Sequence, residues 1–137
     1  MLGEKIGEMT GRVIGTRVLP GDDYRFIKME VSIQESGSMY GVAATDIGTY
    51  TVFERVPGQV YGEGQGMLST TEGEGAIWNG HGVGKVSGPG MTMSIRFSVA
   101  YQAGASGKLS PLKDCLVIGE HEVAEDGSTR TTYWEWK

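Results

Sequence analysis

The stretch Tyr61-Gly62-Glu63-Gly64-Gln65-Gly66, answered a short turn later by Asn79-Gly80-His81-Gly82-Val83-Gly84, decides the fold. Glycine takes every second position in both. Successive side chains on a strand point to opposite faces, so each segment has one bare face and one face carrying Glu63 and Gln65, or Asn79 and His81. A bare face lets a sheet coil tightly or lets another group approach its backbone. The ladders therefore specify architecture more than chemistry.

Outward from the ladders the period of two continues. Over 24–34 the odd positions are Arg25, Ile27, Met29, Val31 and Ile33, alternating with Lys28, Glu30, Ser32 and Gln34. Over 91–102 the apolar row Met91, Met93, Ile95, Phe97, Val99 and Tyr101 alternates with a polar one that includes Arg96. Weaker alternation runs through 4–18, 38–45, 48–55, 59–69, 74–86, 112–123 and 129–136, and no segment sustains a helical period. Between these runs Pro57-Gly58, Glu72-Gly73, Gly88-Pro89-Gly90 and Asp126-Gly127 supply hairpin chemistry. The longest break, 103–111, is rich in Gly, Ala and Ser and is a candidate cover for one end of the fold. Short turns without crossover helices predict an all-β chain, an antiparallel meander closed into a barrel of about eight strands that leaves no long edge exposed. A two-sheet sandwich is the alternative.

The chain has 137 residues, enough for one domain, 1–137, with a core that needs no disulfide or structural metal. A net charge of -5 with no Lys/Arg cluster argues against nucleic acid as a partner. One cysteine and two histidines cannot build a Cys/His zinc cage at the usual spacings, and no cofactor or metal is expected. No basic leader runs into an apolar segment and no apolar run approaches membrane-spanning length, so the chain reads as cytoplasmic with no membrane partner. Cys115 precedes Leu116-Val117-Ile118 and reads as a buried structural thiol. The glycine motifs are not phosphate loops, because no helix follows them.

A three-residue loop at Thr71-Glu72-Gly73 with Gly73 left-handed sets the register of the two ladders. Gly62 then faces Gly82, Gly64 faces Gly80, Gly66 faces Trp78, Gln65 faces Asn79, and Glu63 faces His81. Trp78 would cover the bare backbone at Gly66. A loop one residue shorter would dissolve the Glu63/His81 pair. At the last hairpin the same reasoning sets Glu122 opposite Arg130 as an exposed cross-strand pair. His121 looks like an isolated strand histidine, and Trp134 and Trp136 share one face of the closing strand.

Two readings of the polar ladder remain open. If it lines the interior, Glu63 and His81 with Arg96 form an acid/base site, and Gln65, Asn79, Trp78, Phe97 and Tyr101 bind the ligand. If it is the wet outer face, the glycines turn inward and make room for Trp and Tyr side chains, in keeping with the usual exposure of Glu, Gln and Asn.

Gly3-Glu4-Lys5-Ile6-Gly7-Glu8, Gly48-Thr49-Tyr50, the two ladders and the ending Trp134-Glu135-Trp136-Lys137 together resemble a family of small uncharacterised bacterial proteins over nearly the whole chain. More distantly, the glycine-rich meander resembles allene oxide cyclase-like barrels, which are calycin-like and often oligomeric. Allene oxide cyclases isomerise a lipid epoxide in an apolar cavity, and no catalytic assignment is carried over from them to residues of this chain. Three expectations follow: a barrel that binds a small, mostly apolar ligand; a cyclase- or isomerase-like enzyme using Glu63 and His81; and a homo-oligomerising structural module.

Overall fold

The computed structural model describes residues 1–21, 28–88, 92–102 and 105–137. The strands are β1 (Leu2–Leu19), β2 (Lys28–Met39), β3 (Val42–Val56), β4 (Gln59–Thr70), β5 (Gly75–Val86), β6 (Met93–Tyr101), β7 (Leu116–Val123) and β8 (Ser128–Trp136), with one 3₁₀ helix at Gly107–Asp114. Each pairs antiparallel with the next, and β8 returns to β1 to close an eight-stranded barrel. Closure satisfies both edges of the sheet, as expected of a meander this rich in unbroken alternation. The sandwich is not formed.

Three of the hairpins show how the registers are set. Gly73 and Gly127 have φ of 84° and 85°, so Thr71-Glu72-Gly73 and Glu125-Asp126-Gly127 turn as three-residue loops and every cross-strand pair expected between the ladders is present. The third hairpin differs from expectation. Residues 38–45 are no strand of their own, because Tyr40 (φ 50°) and Gly41 (φ 75°) form a tight turn within them and the chain on either side belongs to β2 and β3. A tyrosine rarely takes a positive φ, but Tyr40 packs against the core and its hydroxyl points at Cys115 Sγ across 3.9 Å. The part of the expected strand at 24–27, Pro89-Gly90 of one expected turn, Met91, and residues 103 and 104 lie outside the described residues.

The segment after β6 closes one end of the barrel, as its place in the chain suggests, though with a helical turn that the alternation does not foretell. Leu109 and Leu112, three residues apart and therefore stacked on a 3₁₀ helix, have no exposed surface. Full burial of each is worth about 1.5–3 kcal/mol. Ser106 makes no side-chain cap, and the Glu74 carboxylate accepts the Lys108 N–H across 2.5 Å in its place. The strand expected from residue 112 accordingly starts at Leu116.

Two apolar clusters occupy most of the lumen. One surrounds the helix and contains Met9, Met39, Leu68, Leu109, Leu112 and Val117; the other contains Val31, Val52, Val60, Met93, Ile95 and Val123. On β3, Asp46 and Tyr50 lie between Ala44 of the first cluster and Val52 of the second; on β7, His121 lies between Val117 and Val123. A polar layer thus separates the clusters. Cys115 sits half-buried beside the helix.

Candidate functional site

The polar ladder is on the outside. Glu63 and His81 do face each other, 4.0 Å apart, but with side chains 54% and 65% exposed, and His81 Nδ1 is hydrogen-bonded to the Tyr61 hydroxyl at 2.8 Å. Arg96 does not join them. It is paired with Glu120 at 3.5 Å and Glu122 at 3.2 Å, opposite Val83 on β5. Gln65 and Asn79 are exposed as well. The expectation of an interior acid/base site at Glu63, His81 and Arg96, with Gln65 and Asn79 as ligand contacts, is therefore corrected. Gly62, Gly64, Gly80 and Gly82 take the inner face, and strand alternation sends Glu63, Gln65, Asn79 and His81 outward. Glu122 stands opposite Arg130 in register, yet Arg130 pairs with Glu8. Trp134 is half-buried and Trp136 half-exposed, on the outer side of the strand that closes the barrel.

The inward glycines are lanes for aromatic side chains. Gly48, Gly66, Trp78 and Tyr101 form one cross-strand row. The Trp78 indole lies over both glycines, so closely that a Cβ at Gly48 would stand 2.6 Å from the ring. This lets Trp78 reach across two strands and donate its Nε1–H to Asp46 Oδ1 at 2.8 Å. Tyr133 donates to the other oxygen, Oδ2, at 3.4 Å. Burial pushes the Asp46 carboxyl up to about 6, opposed by these two donors.

Asp46 stands directly opposite Glu35 on β2. Such pairs hold their Cβ atoms about 4.5–5.5 Å apart, so both charges at once are costly. Glu35 is 1% exposed. Its Oε2 accepts from Thr129 Oγ1 at 2.7 Å and its Oε1 from Thr131 Oγ1 at 2.7 Å. Gly11 of β1 is opposite both Glu35 and Thr129, and its missing side chain lets the carboxyl reach the hydroxyl on β8. Burial raises the Glu35 carboxyl to about 7; the threonine hydroxyls oppose this and the charge of Asp46 adds to it.

Thr131 Oγ1 continues the network to His121 Nδ1 at 2.7 Å, and His121 Nε2 meets the Tyr50 hydroxyl at 3.1 Å. His121 is thus no isolated strand histidine but the middle of a chain from Glu35 to Tyr50. Burial lowers its imidazole to about 4, slightly opposed by Glu122, so it is neutral at physiological pH. Burial also raises the hydroxyls of Tyr50, Tyr101 and Tyr133. No buried side-chain polar atom among the described residues lacks a partner.

Between the polar layer and the bare strands lies a cavity of about 70 Å³. Ile33, Ile95, Phe97, Val99 and the rings of Tyr50, Trp78, Tyr101 and Tyr133 line it, with Glu35, Asp46, His121 and Thr131 as its polar wall and Gly62, Gly80, His81 and Gly82 as its floor, His81 lying between the two glycines although its side chain is exposed. Trp78, Phe97 and Tyr101, expected as ligand contacts, are on its wall. Glu35, Asp46, Tyr50, His121 and Thr131 escape the sequence reading. A signal for Glu35 is present, since it continues the inward row Val31, Ile33. Among the described residues no group of His, Cys, Asp and Glu side chains is arranged to hold a metal ion, and no helix is long and apolar enough to cross a membrane.

No protein-family model and no curated protein matches the chain. Among solved structures, a protein of unknown function from Clostridium acetobutylicum ATCC 824 matches with a TM-score of 0.80 at 11% identity, over 98% of this chain and 98% of that one. A conserved protein of unknown function from Rhodopseudomonas palustris matches with a TM-score of 0.74 at 12% identity, over 99% and 98% of the two chains. The chain is therefore similar, over its whole length, to structurally known bacterial proteins, and at these identities the likeness shows the fold.

Proposed function

We propose that the protein binds a small, mostly apolar molecule inside the barrel, in the spirit of the allene oxide cyclase-like and calycin-like barrels but with a far smaller ligand. The observation that supports this most directly is the cavity. Small-molecule sites are mostly apolar hollows with a few convergent polar groups, and this one has aromatic and aliphatic walls with a single polar side. Its volume of about 70 Å³ stands well below the roughly 300–1,000 Å³ of drug-sized sites. A lipid does not fit, whereas a molecule of a few heavy atoms does.

Cyclopentane is a suitable neutral probe. On titration it is expected to shift the methyl resonances of Ile33, Ile95 and Val99 saturably while leaving the outward Val83 and Ile77 methyls in place. Methyls around the cavity that stay unmoved at saturating cyclopentane refute the reading.

A further inference from the structure

The chain Glu35, Thr131, His121, Tyr50 can run its whole length in either of two directions, set by whether Thr131 donates to Glu35 or accepts from it. With Glu35 ionised, the Thr131 hydroxyl donates to the carboxylate, His121 donates its Nδ1–H to Thr131 Oγ1, and the Tyr50 hydroxyl donates to the bare Nε2. Tyr50 then offers the cavity lone pairs only. With Glu35 protonated on Oε1, the oxygen that faces Thr131, every link reverses: the acid donates to Thr131 Oγ1, Thr131 donates to Nδ1, and His121 carries its proton on Nε2 and donates to Tyr50 Oη. The Tyr50 hydroxyl hydrogen is released toward the cavity. Both arrangements use the same contacts of 2.7, 2.7 and 3.1 Å, and Glu35, Thr131, His121 and Tyr50 all line the cavity.

Resting on the reading of the cavity as a binding site, we infer that it takes a small uncharged molecule bearing one hydrogen-bond-accepting oxygen, of the ketone or amide class, held by the Tyr50 hydroxyl, and that its binding is coupled to the uptake of one proton at Glu35. An anionic ligand would meet two carboxyls and no cation. A purely apolar one would leave the released hydroxyl hydrogen without an acceptor, which is costly in a buried site. A ketone oxygen satisfies it, and its apolar ring matches the remaining walls.

The ionisable groups facing Glu35 are Asp46 and Tyr50 of β3, His121 of β7, Tyr133 of β8 and Tyr101 of β6; β1 presents Met9 and Gly11 and adds none. His121 is neutral throughout the neutral range and the tyrosines stay protonated. Asp46 is hydrogen-bonded to Trp78 and Tyr133 and Glu35 to Thr131, so it is a proton at Glu35 that reverses the chain leading to Tyr50.

The test compares cyclopentanone with cyclopentane, which share a ring and differ in one oxygen, by methyl NMR titration at several pH values. Cyclopentanone affinity is expected to fall about tenfold per pH unit above about pH 7, as the competent protonated fraction falls, while cyclopentane affinity does not fall. Glu35→Gln, whose amide donates to Thr131 as the protonated acid does, is expected to hold cyclopentanone at its low-pH affinity across the range. Tyr50→Phe is expected to erase the preference for the ketone, so that the two rings bind alike at every pH. Cyclopentanone binding that is independent of pH, strengthens with pH, or survives Tyr50→Phe unchanged overturns the inference while leaving the binding site intact. So does a pH dependence that persists in Glu35→Gln and vanishes in Asp46→Asn. If neither ring enters, the binding reading fails and this inference fails with it.

Discussion

Replacing Glu35 by Gln is expected to stabilise the fold at alkaline pH and to leave it nearly unchanged in acid. In the folded protein the carboxyl titrates at about 7 against an ordinary 4.5, chiefly because burial disfavours the charge. Across that window the folded chain keeps a proton that the unfolded chain has released, so stability is full below the lower value, falls as pH rises, and levels off above the upper one. Each pH unit is worth about 1.4 kcal/mol, so the whole window from 4.5 to about 7 amounts to about 3 kcal/mol. The amide cannot ionise and escapes this loss, while it still has a carbonyl to accept from Thr129 and an N–H to donate to Thr131. His121 runs the other way, its depressed value adding stability as pH rises from about 4 to 6.5, but it titrates in both proteins and drops out of the difference. Urea denaturation followed by tryptophan fluorescence at about pH 4.5 and about pH 8.5 reads the effect directly. A variant that gains about 3 kcal/mol over the parent at the higher pH and almost nothing at the lower bears the reasoning out. Equal effects at both values, or a loss only at the higher pH, would show that the hydroxyls of Thr129 and Thr131 hold the carboxylate ionised, and would refute it.

Trp78→Phe removes one of the two donors to Asp46 and is expected to cost about 1–3 kcal/mol, more above pH 6 than below it because the ionised carboxylate loses most; paired urea curves on either side of that pH check this. Gly66→Ala drives a methyl into the Trp78 indole and is expected to cost about 1–3 kcal/mol, with a changed near-ultraviolet circular dichroism band reporting the displaced ring. On the outer ladder, Glu63→Gln is expected to change stability by less than about 0.5 kcal/mol and to leave cyclopentane binding as it was, since the side chain is solvated and its ionic partner His81 is exposed too.

The barrel was legible because its determinants are local. Alternation fixes the two faces of a strand, and a left-handed glycine at a known place in a loop fixes the register, which is why Gly73 and Gly127 sufficed to align Glu63 with His81 and Glu122 with Arg130. Tyr40-Gly41 was not legible for the complementary reason. The positive φ at Tyr40 is sustained by packing against residues distant in sequence, and nothing in a window around it says so. The 3₁₀ helix is similar, since a single turn carries no period and two leucines become a plug only when a barrel end lies beneath them. For the site, the ladders pointed to the right strands and the wrong face. Glu63, Gln65, Asn79 and His81 drew notice because they are polar among glycines, whereas Glu35 and Asp46 are single acidic residues in otherwise ordinary alternation. Their importance arises from being opposite each other on adjacent inward positions, which depends on a turn that the sequence reading did not place.

The polar layer also bears on why the interior is built this way. Side chains of Leu or Val at positions 35 and 46 would continue the apolar clusters above and below, and buried ionisable groups are commonly less stabilising than the apolar residues that would replace them. The chain instead keeps two opposed acids whose titration lowers its stability on the way to neutral pH. It also spends three inward glycines, Gly62, Gly80 and Gly82, on the floor of the hollow in front of them, although each such glycine forgoes side-chain burial. Proteins depart from locally consistent design mainly where a site requires it. Here the two departures converge on one hollow: the glycines open it, and the acids with Tyr50 and His121 give it a polar side. A layer serving stability alone would need neither, because closing the hollow with side chains would remove both the unfilled volume and the need for polar partners.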